Sequence, residues 1–390
     1  MDKKYGKTVT ACFVAYVVQA IINNFAPLLF LTLHSSYGIP LSQITLLVTF
    51  NFAIQLAVDL LSVGFIDRIG YRAAMVLAHA LAALGLIALS VLPELLPSAF
   101  AGIFISVVIY AVGGGLLEVL VSPVVEACPT ENKEKTMSLL HSFYCWGCVG
   151  VVLLSTLFFH LFGIENWRVM ALLWAAVPLV NAFVFLRVPF AALIEDGEVG
   201  MRVGELLKSK TFWLLFVMMV CAGASEQAVS QWSSALMEKS LGIAKTLGDL
   251  AGPMAFAALM GASRVFYSKF GDKIKLERFM MLSCVLAVGA YLGIGLFALP
   301  ALSVISCALC GLAVGIMWPG TFSKAAGVMR RGGTAMFALL ALGGDLGCSL
   351  GPSAVGFVSG VLNDDLRLGI LAAVVFPTVL LIGVWRCRRI

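Results

Sequence analysis

The stretch GFIDRIGYR, residues 64–72, is a short charged interruption between two long apolar segments, which begin near Leu41 and Arg72. Segments of this kind recur along the 390-residue chain, of which 61% is hydrophobic and only 12% is charged. A soluble domain carries about 25% charged residues, and about 20 apolar residues of helix cross the hydrocarbon core of a membrane. The composition therefore predicts a polytopic membrane protein.

The apolar segments form two sets of six, separated by a polar stretch. They begin near Thr8, Leu41, Arg72, Ser98, Thr136 and Asn166, and then near Thr211, Leu247, Leu276, Pro300, Thr334 and Arg367. Six crossings return the chain to its starting side, so the two sets share one orientation, as parallel repeats do. We expect an all-α membrane fold of twelve transmembrane helices in two bundles, residues 1–188 and 211–390, joined by a cytoplasmic linker, residues 189–210.

The 26 Lys and Arg residues fall mostly on one side of this topology. If the N-terminus is inside, the outer loops keep only Arg168, Lys239, Lys245 and Arg367, while Arg264 lies within a helix. Cytoplasmic loops of membrane proteins carry an excess of Lys and Arg. The asymmetry predicts that both termini are cytoplasmic. We also expect the protein to lie in the cytoplasmic (inner) membrane of a bacterium.

The charged stretch at residues 64–72 resembles the loop signature of the major facilitator superfamily. That signature places a Gly, an Asp-Arg pair, a Gly and a basic residue between helices two and three, here Gly64, Asp67, Arg68, Gly70 and Arg72. The resemblance implies a transporter that works by alternating access. It also implies that Asp67 docks near Thr334, at the start of helix eleven, as part of a conformational latch. A weaker copy, Gly271-Asp272-Lys273, follows the eighth segment.

A closer resemblance lies in GGGLLEVLVSP, residues 113–123, which is similar to the glycine-rich helix four of the fucose:proton symporter family. In that family the Glu of this helix belongs to the proton-coupling machinery, so the resemblance assigns the same role to Glu118. The chain departs from the family at two positions. Ser122 replaces the Asn that commonly precedes the Pro, and no Asp follows the Asn23-Asn24 pair of helix one.

Five ionisable residues lie inside the predicted helices: Asp59, Glu118, Glu226, Arg264 and Asp345. A charge in the membrane is costly, so such residues usually mark transport pathways or pair with one another. Asp345 is either a second proton or cation site or the ion-pair partner of Arg264. Asp59 is a second candidate partner of Arg264, or it pairs with a cytoplasmic-side base and belongs to the gate.

In the superfamily, helices one, four, seven and ten line the central cavity. The resemblance therefore predicts a substrate site that contains Asn23, Asn24, Glu118, Glu226, Gln227 and Trp318. Carboxylates and amides offer the donors and acceptors that a polyhydroxyl ligand needs, and an aromatic ring can stack on a sugar. The alternative is structural, because amides also link helices inside membranes and aromatic residues commonly pack in the interior.

The sequence contains no P-loop, HExxH or GxSxG motif of a soluble enzyme. It predicts a secondary active transporter, not an enzyme, that moves a small polar solute, in first place a sugar, with proton symport. The alternative is a proton-coupled drug or metabolite exporter of the same fold, because 15 Met and 26 Phe would suit an apolar ligand. We expect a monomer in the lipid bilayer, with no cofactor, metal or nucleic acid.

Overall fold

The computed structural model describes residues 4–39, 41–192, 200–233, 236–237, 250–297, 299–363 and 365–388, and none of these residues lies in a strand. The first part of the chain forms α1 (Gly6–Leu28), α2 (Phe30–Tyr37), α3 (Leu41–Ile69), α4 (Tyr71–Leu95), α5 (Ala99–Ala127), α6 (Lys133–Phe162) and α7 (Trp167–Arg187). The second part forms α8 (Val203–Lys208), α9 (Lys210–Ser230), α10 (Ala255–Phe270), α11 (Leu276–Leu296), α12 (Pro300–Val314), α13 (Met317–Val328), α14 (Gly333–Val361), α15 (Leu366–Ala372) and α16 (Val375–Cys387).

Among the described residues, ten helices or helix pairs are long and apolar enough to cross a membrane. Three of them are each built from two consecutive helical elements: Pro300–Val328, Leu366–Cys387 and Ile164–Arg187, in which the short 3-10 helix Ile164–Asn166 precedes α7. Large apolar side chains such as Leu61 and Phe357 are 73% and 75% exposed, as lipid-facing residues should be. The predicted all-α membrane fold is confirmed, while the predicted helix start at Leu247 lies outside the described residues.

The chain divides into two compact units. Unit 1 is Met1–Glu131 with Trp146–Gly197, and unit 2 is Asn132–Cys145 with Glu198–Ile390. The change of unit at Gly197 falls inside the predicted linker, and α6 contributes its first turns to unit 2 and the rest to unit 1. The predicted bundle boundaries at 1–188 and 211–390 stay a prediction.

In unit 1, α4 packs against α5 and α7, while α5 also contacts α1 and α3. The packing depends on glycine at crowded positions of α5. A Cβ atom on Gly113 would lie 2.6 Å from the carbonyl oxygen of Ala78 on α4. Small residues allow membrane helices to approach this closely, so the glycine run of helix four is first of all a packing surface.

In unit 2, α9 packs against α14 and α16, and α11 packs against α12, α15 and α16. The helices α9 and α14 approach each other closely. A Cβ atom on Gly347 would lie 2.0 Å from the carbonyl oxygen of Val220, and one on Gly223 would lie 2.2 Å from that of Gly344. Backbone carbonyls cannot move aside as side-chain ends can, so these glycines fix the separation of the two helices.

We expect Gly113→Ala to destabilise the protein by about 1 to 3 kcal/mol, the usual cost of an overpacked core. Gly150→Ala is the matched control, because Gly150 also lies inside a helix of unit 1 and a Cβ atom there would meet nothing within 4 Å. That control should keep or slightly raise stability, since Ala is the better helix former. Thermal unfolding of the purified variants in detergent checks both, and equal midpoints would contradict the close contact.

Candidate functional site

A stripe of buried polar residues runs along α3 at four-residue intervals. Asn51, Gln55 and Asp59 are 6%, 2% and 0% exposed, and residues four apart lie on one face of a helix. Asn23 of α1 meets this face, because its Oδ1 accepts hydrogen bonds from Asn51 Nδ2 at 3.1 Å and from Gln55 Nε2 at 2.9 Å. The predicted substrate residue Asn23 is therefore engaged in interhelical bonds within unit 1.

Glu118 of α5 lies at the same level as this stripe. Gln19 of α1 donates a hydrogen bond from Nε2 to Glu118 Oε2 at 2.9 Å. A carboxylate oxygen of Glu118 and one of Asp59 lie within 4.8 Å of each other. We call Gln19, Asn23, Asn51, Gln55, Asp59 and Glu118 the unit 1 polar cluster.

The glycine run of α5 explains how α3 reaches Glu118. A Cβ atom on Gly115 would lie 2.9 Å from Val58 Cβ and 3.0 Å from Gln55 Cα, and one on Gly114 would lie 3.4 Å from the Gln55 side chain. Only a side chain as small as hydrogen at these positions lets α3 bring its polar face against α5. The same glycines that pack the bundle thus bring Asp59 towards Glu118.

Other predicted residues of unit 1 have structural contacts. Asn24 Nδ2 donates to Ala20 O at 2.9 Å and to Cys148 Sγ at 3.2 Å, which links α1 to α6. Arg72 Nη1 donates to the carbonyls of Phe185 and Leu186 at 3.1 and 2.8 Å, so it caps the C-terminal end of α7, where a cation is favourable.

The predicted latch of the first half is described only in part. Arg68 is exposed in the last turn of α3. The structure describes the backbone of Asp67 but not its side chain. The predicted docking of Asp67 near Thr334 stays a prediction.

Arg264 of α10 is the most buried charge described in unit 2, at 3% exposure. Its Nη2 pairs with Glu226 Oε2 of α9 at 3.4 Å, and its Nη1 donates to His141 O at 2.9 Å and to Cys145 Sγ at 3.0 Å in the first turns of α6. The pairing of Arg264 with Glu226 was missed by the sequence analysis, which considered Asp59 and Asp345.

A fourth contact of Arg264 compensates for a break in the tenth predicted helix. Pro319 has no N–H, so the carbonyl of Gly315, four residues earlier, receives no backbone bond from it. Helix α12 ends at Val314 and α13 begins at Met317. Arg264 Nε donates to this Gly315 oxygen at 2.8 Å, so a side chain satisfies the acceptor that the proline leaves open.

Three further predicted residues lie in the same unit. Gln227 Nε2 donates to Glu226 Oε1 at 3.4 Å. A Cβ atom on Gly344 would lie 2.1 Å from the ring of Trp318, so this indole packs directly against the backbone of α14. Asp345 is the next residue of α14 and is half-buried. Its assignment as a cation site or as a partner of Arg264 stays a prediction.

Asp272, in the second copy of the loop signature, docks on the start of α6. It accepts hydrogen bonds from Lys135 Nζ and, at 3.1 Å, from Asn132 Nδ2. The Lys135 ammonium holds the pKa of this carboxyl below its usual range. Glu134 adds a second tie between the same elements, because its Oε2 accepts from Tyr267 OH at 2.8 Å. A loop acid therefore does dock on a helix start, as the signature predicts for Asp67, and here the helix is α6.

The comparisons with known proteins agree with this fold. A model of the Major Facilitator Superfamily matches residues 9–352. The chain belongs to the major facilitator superfamily. It is therefore a multi-pass membrane carrier, as the loop signature predicted, and no curated protein is similar enough in sequence to match it.

Solved structures share the fold at low sequence identity. The E. coli fucose:proton symporter FucP is 15% identical with a TM-score of 0.79, and 99% of each chain is covered. The proton:xylose symporter XylE is 10% identical with a TM-score of 0.83, covering 98% of this chain and 95% of that one. The human organic anion transporter MFSD10 is 16% identical with a TM-score of 0.71, covering 99% and 100%.

Replacing Arg264 by Gln should destabilise the protein by about 3 to 5 kcal/mol, because it leaves the Glu226 charge and the Gly315 carbonyl without this partner. Adding Pro319→Ala should recover part of the loss, since an alanine at this position has an N–H to donate to Gly315. Adding Glu226→Gln should also recover part, by removing the buried charge. Thermal unfolding in detergent measures all four proteins. If neither Pro319→Ala nor Glu226→Gln raises the unfolding temperature of the Arg264→Gln variant, the contacts of Arg264 with Gly315 and Glu226 do not account for the lost stability.

The contact of Asp272 with Lys135 predicts a charge-swap result. Asp272→Lys and Lys135→Asp should each slow transport by about two- to fivefold, because partly exposed pairs contribute little, and the double variant should recover most of the rate. The lowered pKa of Asp272 means that its contribution is present above the usual Asp range and is lost as pH falls through the lowered value. Uptake rates at neutral pH decide, and a double variant as slow as either single one would contradict the pairing.

Proposed function

We propose that this carrier moves a small polar solute, in first place a sugar or related polyhydroxyl compound, together with a proton that Glu118 binds and releases. The observation that carries the proposal is the unit 1 polar cluster, in which Glu118 of α5 meets Gln19 of α1 and Asp59 of α3 inside an apolar bundle. Ionisable side chains are costly to place inside a membrane, so they are taken by default as candidates for transport or proton pathways. The fold shared with a fucose:proton and a proton:xylose symporter supports the same reading.

The resemblance to an organic anion transporter suggests an anionic cargo as the other possibility. The described geometry favours it less. Arg264 would be the natural site for an anion, but its Nε, Nη1 and Nη2 atoms already donate to Gly315, His141 and Glu226. The unit 1 polar cluster consists of amide and carboxylate groups, and they suit hydroxyl groups better than anions.

The setting of the proposal follows from the sequence. The excess of Lys and Arg on one side supports the placement of both termini in the cytoplasm, and the fold shared with an E. coli symporter makes the inner membrane of a bacterium the first choice of location. Transport would use the ion gradient, since the sequence has no P-loop, and a single chain would suffice. Export of a drug or metabolite by the same fold is the competing function.

The test is reconstitution in liposomes that contain a pH-sensitive dye, with sugars and polyols added outside. Acidification of the lumen by one compound would identify a substrate and support proton symport. Counterflow of a labelled sugar without acidification would support sugar transport and contradict proton coupling. No response in either assay, with a positive drug-susceptibility panel in cells that overproduce the protein, would favour the exporter.

Glu118→Gln should abolish uphill uptake of the substrate while leaving exchange across the membrane, because the amide keeps the hydrogen-bonding shape of the side chain but cannot carry the coupled proton. Glu165→Gln is the matched control, since it removes an exposed acid outside the cluster. Uptake and counterflow of the same labelled sugar give the two readouts. Full uphill uptake by Glu118→Gln would disprove the coupling role.

A further inference from the structure

Two acidic side chains of unit 1 come together at membrane depth. Asp59 of α3 is fully buried, Glu118 of α5 is half-buried, and one oxygen from each lies within 4.8 Å of the other. Two negative charges at this distance repel strongly where water is excluded. Such a pair is a favourable place for one positive charge.

The side chain of Gln19 points to a coordinated ion rather than to a simple contact between acids. Gln19 is 4% exposed, and its Nε2 atom donates to Glu118 Oε2. Its Oε1 atom has no hydrogen-bond partner among the described residues. A buried acceptor left without a partner carries a real penalty. This oxygen shares a carbon with Nε2, the atom that contacts Glu118, and a cation bound next to that carboxylate would satisfy it.

The other amides of the cluster hold the site in place. Asn51 and Gln55 donate their N–H groups to Asn23, so these bonds fix α1 against α3. Gly114 and Gly115 in turn set the distance between α3 and α5. The two acids and Gln19 are therefore presented by three helices whose spacing is set by contacts outside the trio, as a binding site requires.

We propose that Asp59, Glu118 and the Oε1 atom of Gln19 bind one sodium ion. Na⁺ has nearly the radius of Ca²⁺, whose oxygen ligands lie at about 2.3 to 2.6 Å, so oxygens on opposite sides of such an ion are roughly 5 Å apart. Mg²⁺ needs a tighter octahedron, and Ca²⁺ takes six to eight oxygens. Two carboxylates and one amide oxygen, completed by water, suit a monovalent ion better.

This inference rests on the proposed function in one respect, since it makes Na⁺ an alternative occupant of the site where Glu118 carries the coupled proton. The acid that the fucose:proton symporter family has in helix one is absent here. Asp59 of α3 supplies a second acid to the same cluster. The two acids of the proposed site therefore lie on α3 and α5.

The experiment measures binding of ²²Na⁺ alone to the purified full-length protein in detergent, at fixed pH and at an ionic strength held constant with choline chloride. The wild-type protein should bind about one Na⁺ per chain in a saturable way. Asp59→Asn and Glu118→Gln should each abolish saturable binding. Gln19→Ala, which keeps both acids, should weaken it by roughly tenfold through loss of one ligand, and Glu165→Gln should bind as the wild type does.

Thermal unfolding of each variant establishes that it is folded, and Gln19→Ala keeps the test decisive if an acid variant is not. Absence of saturable binding to folded wild-type protein would overturn the proposal, and so would unchanged binding by Asp59→Asn or Gln19→Ala. No transported solute is needed. A protein that fails here but acidifies liposomes with a sugar would therefore lose the sodium site and keep the proposed proton symport.

Discussion

The hydrocarbon core of a membrane offers no hydrogen bonds, so each polar group placed there must be satisfied by the protein itself. The interior of both units follows from this constraint. In unit 1, Asn23 collects two amide donors from α3. In unit 2, Arg264 donates a hydrogen bond to the Gly315 carbonyl, which receives no backbone bond because Pro319 has no N–H. These buried polar groups are therefore satisfied by hydrogen bonds between neighbouring helices, and each such bond also holds one helix against another.

Close helix approach is the second requirement, because polar side chains can pair across helices only where the backbones are near. The glycines of α5 allow α3 to approach Glu118, and the glycines of α14 allow α9 to pack directly against the α14 backbone. Gly344 also leaves room for the indole ring of Trp318. The same glycines therefore determine both the packing of the helices and the positions of the carboxylates. A substitution that changes the packing at one of them also moves the carboxylates.

The sequence was sufficient to predict the all-α membrane fold, since the length and hydrophobicity of each segment are local properties of the chain. It also identified the costly groups Asp59, Glu118 and Arg264, because a charge inside an apolar segment is visible by itself. It did not reveal their partners, which depend on how the helices pack. Gln19 was missed because an uncharged amide in a helix attracts little notice. The four-residue spacing of Asn51, Gln55 and Asp59 was a signal that could have been read.

The contact between Asp272 and the start of α6 is sensitive to salt. Its partner Lys135 is 22% exposed and Asp272 itself is 62% exposed, so the attraction between them is screened by dissolved salt over a distance of about 8 Å at ordinary ionic strength. With the predicted orientation, that salt is the cytoplasm's own. A rise in the salt concentration around Lys135 and Asp272 would therefore weaken this contact without any chemical change to the protein.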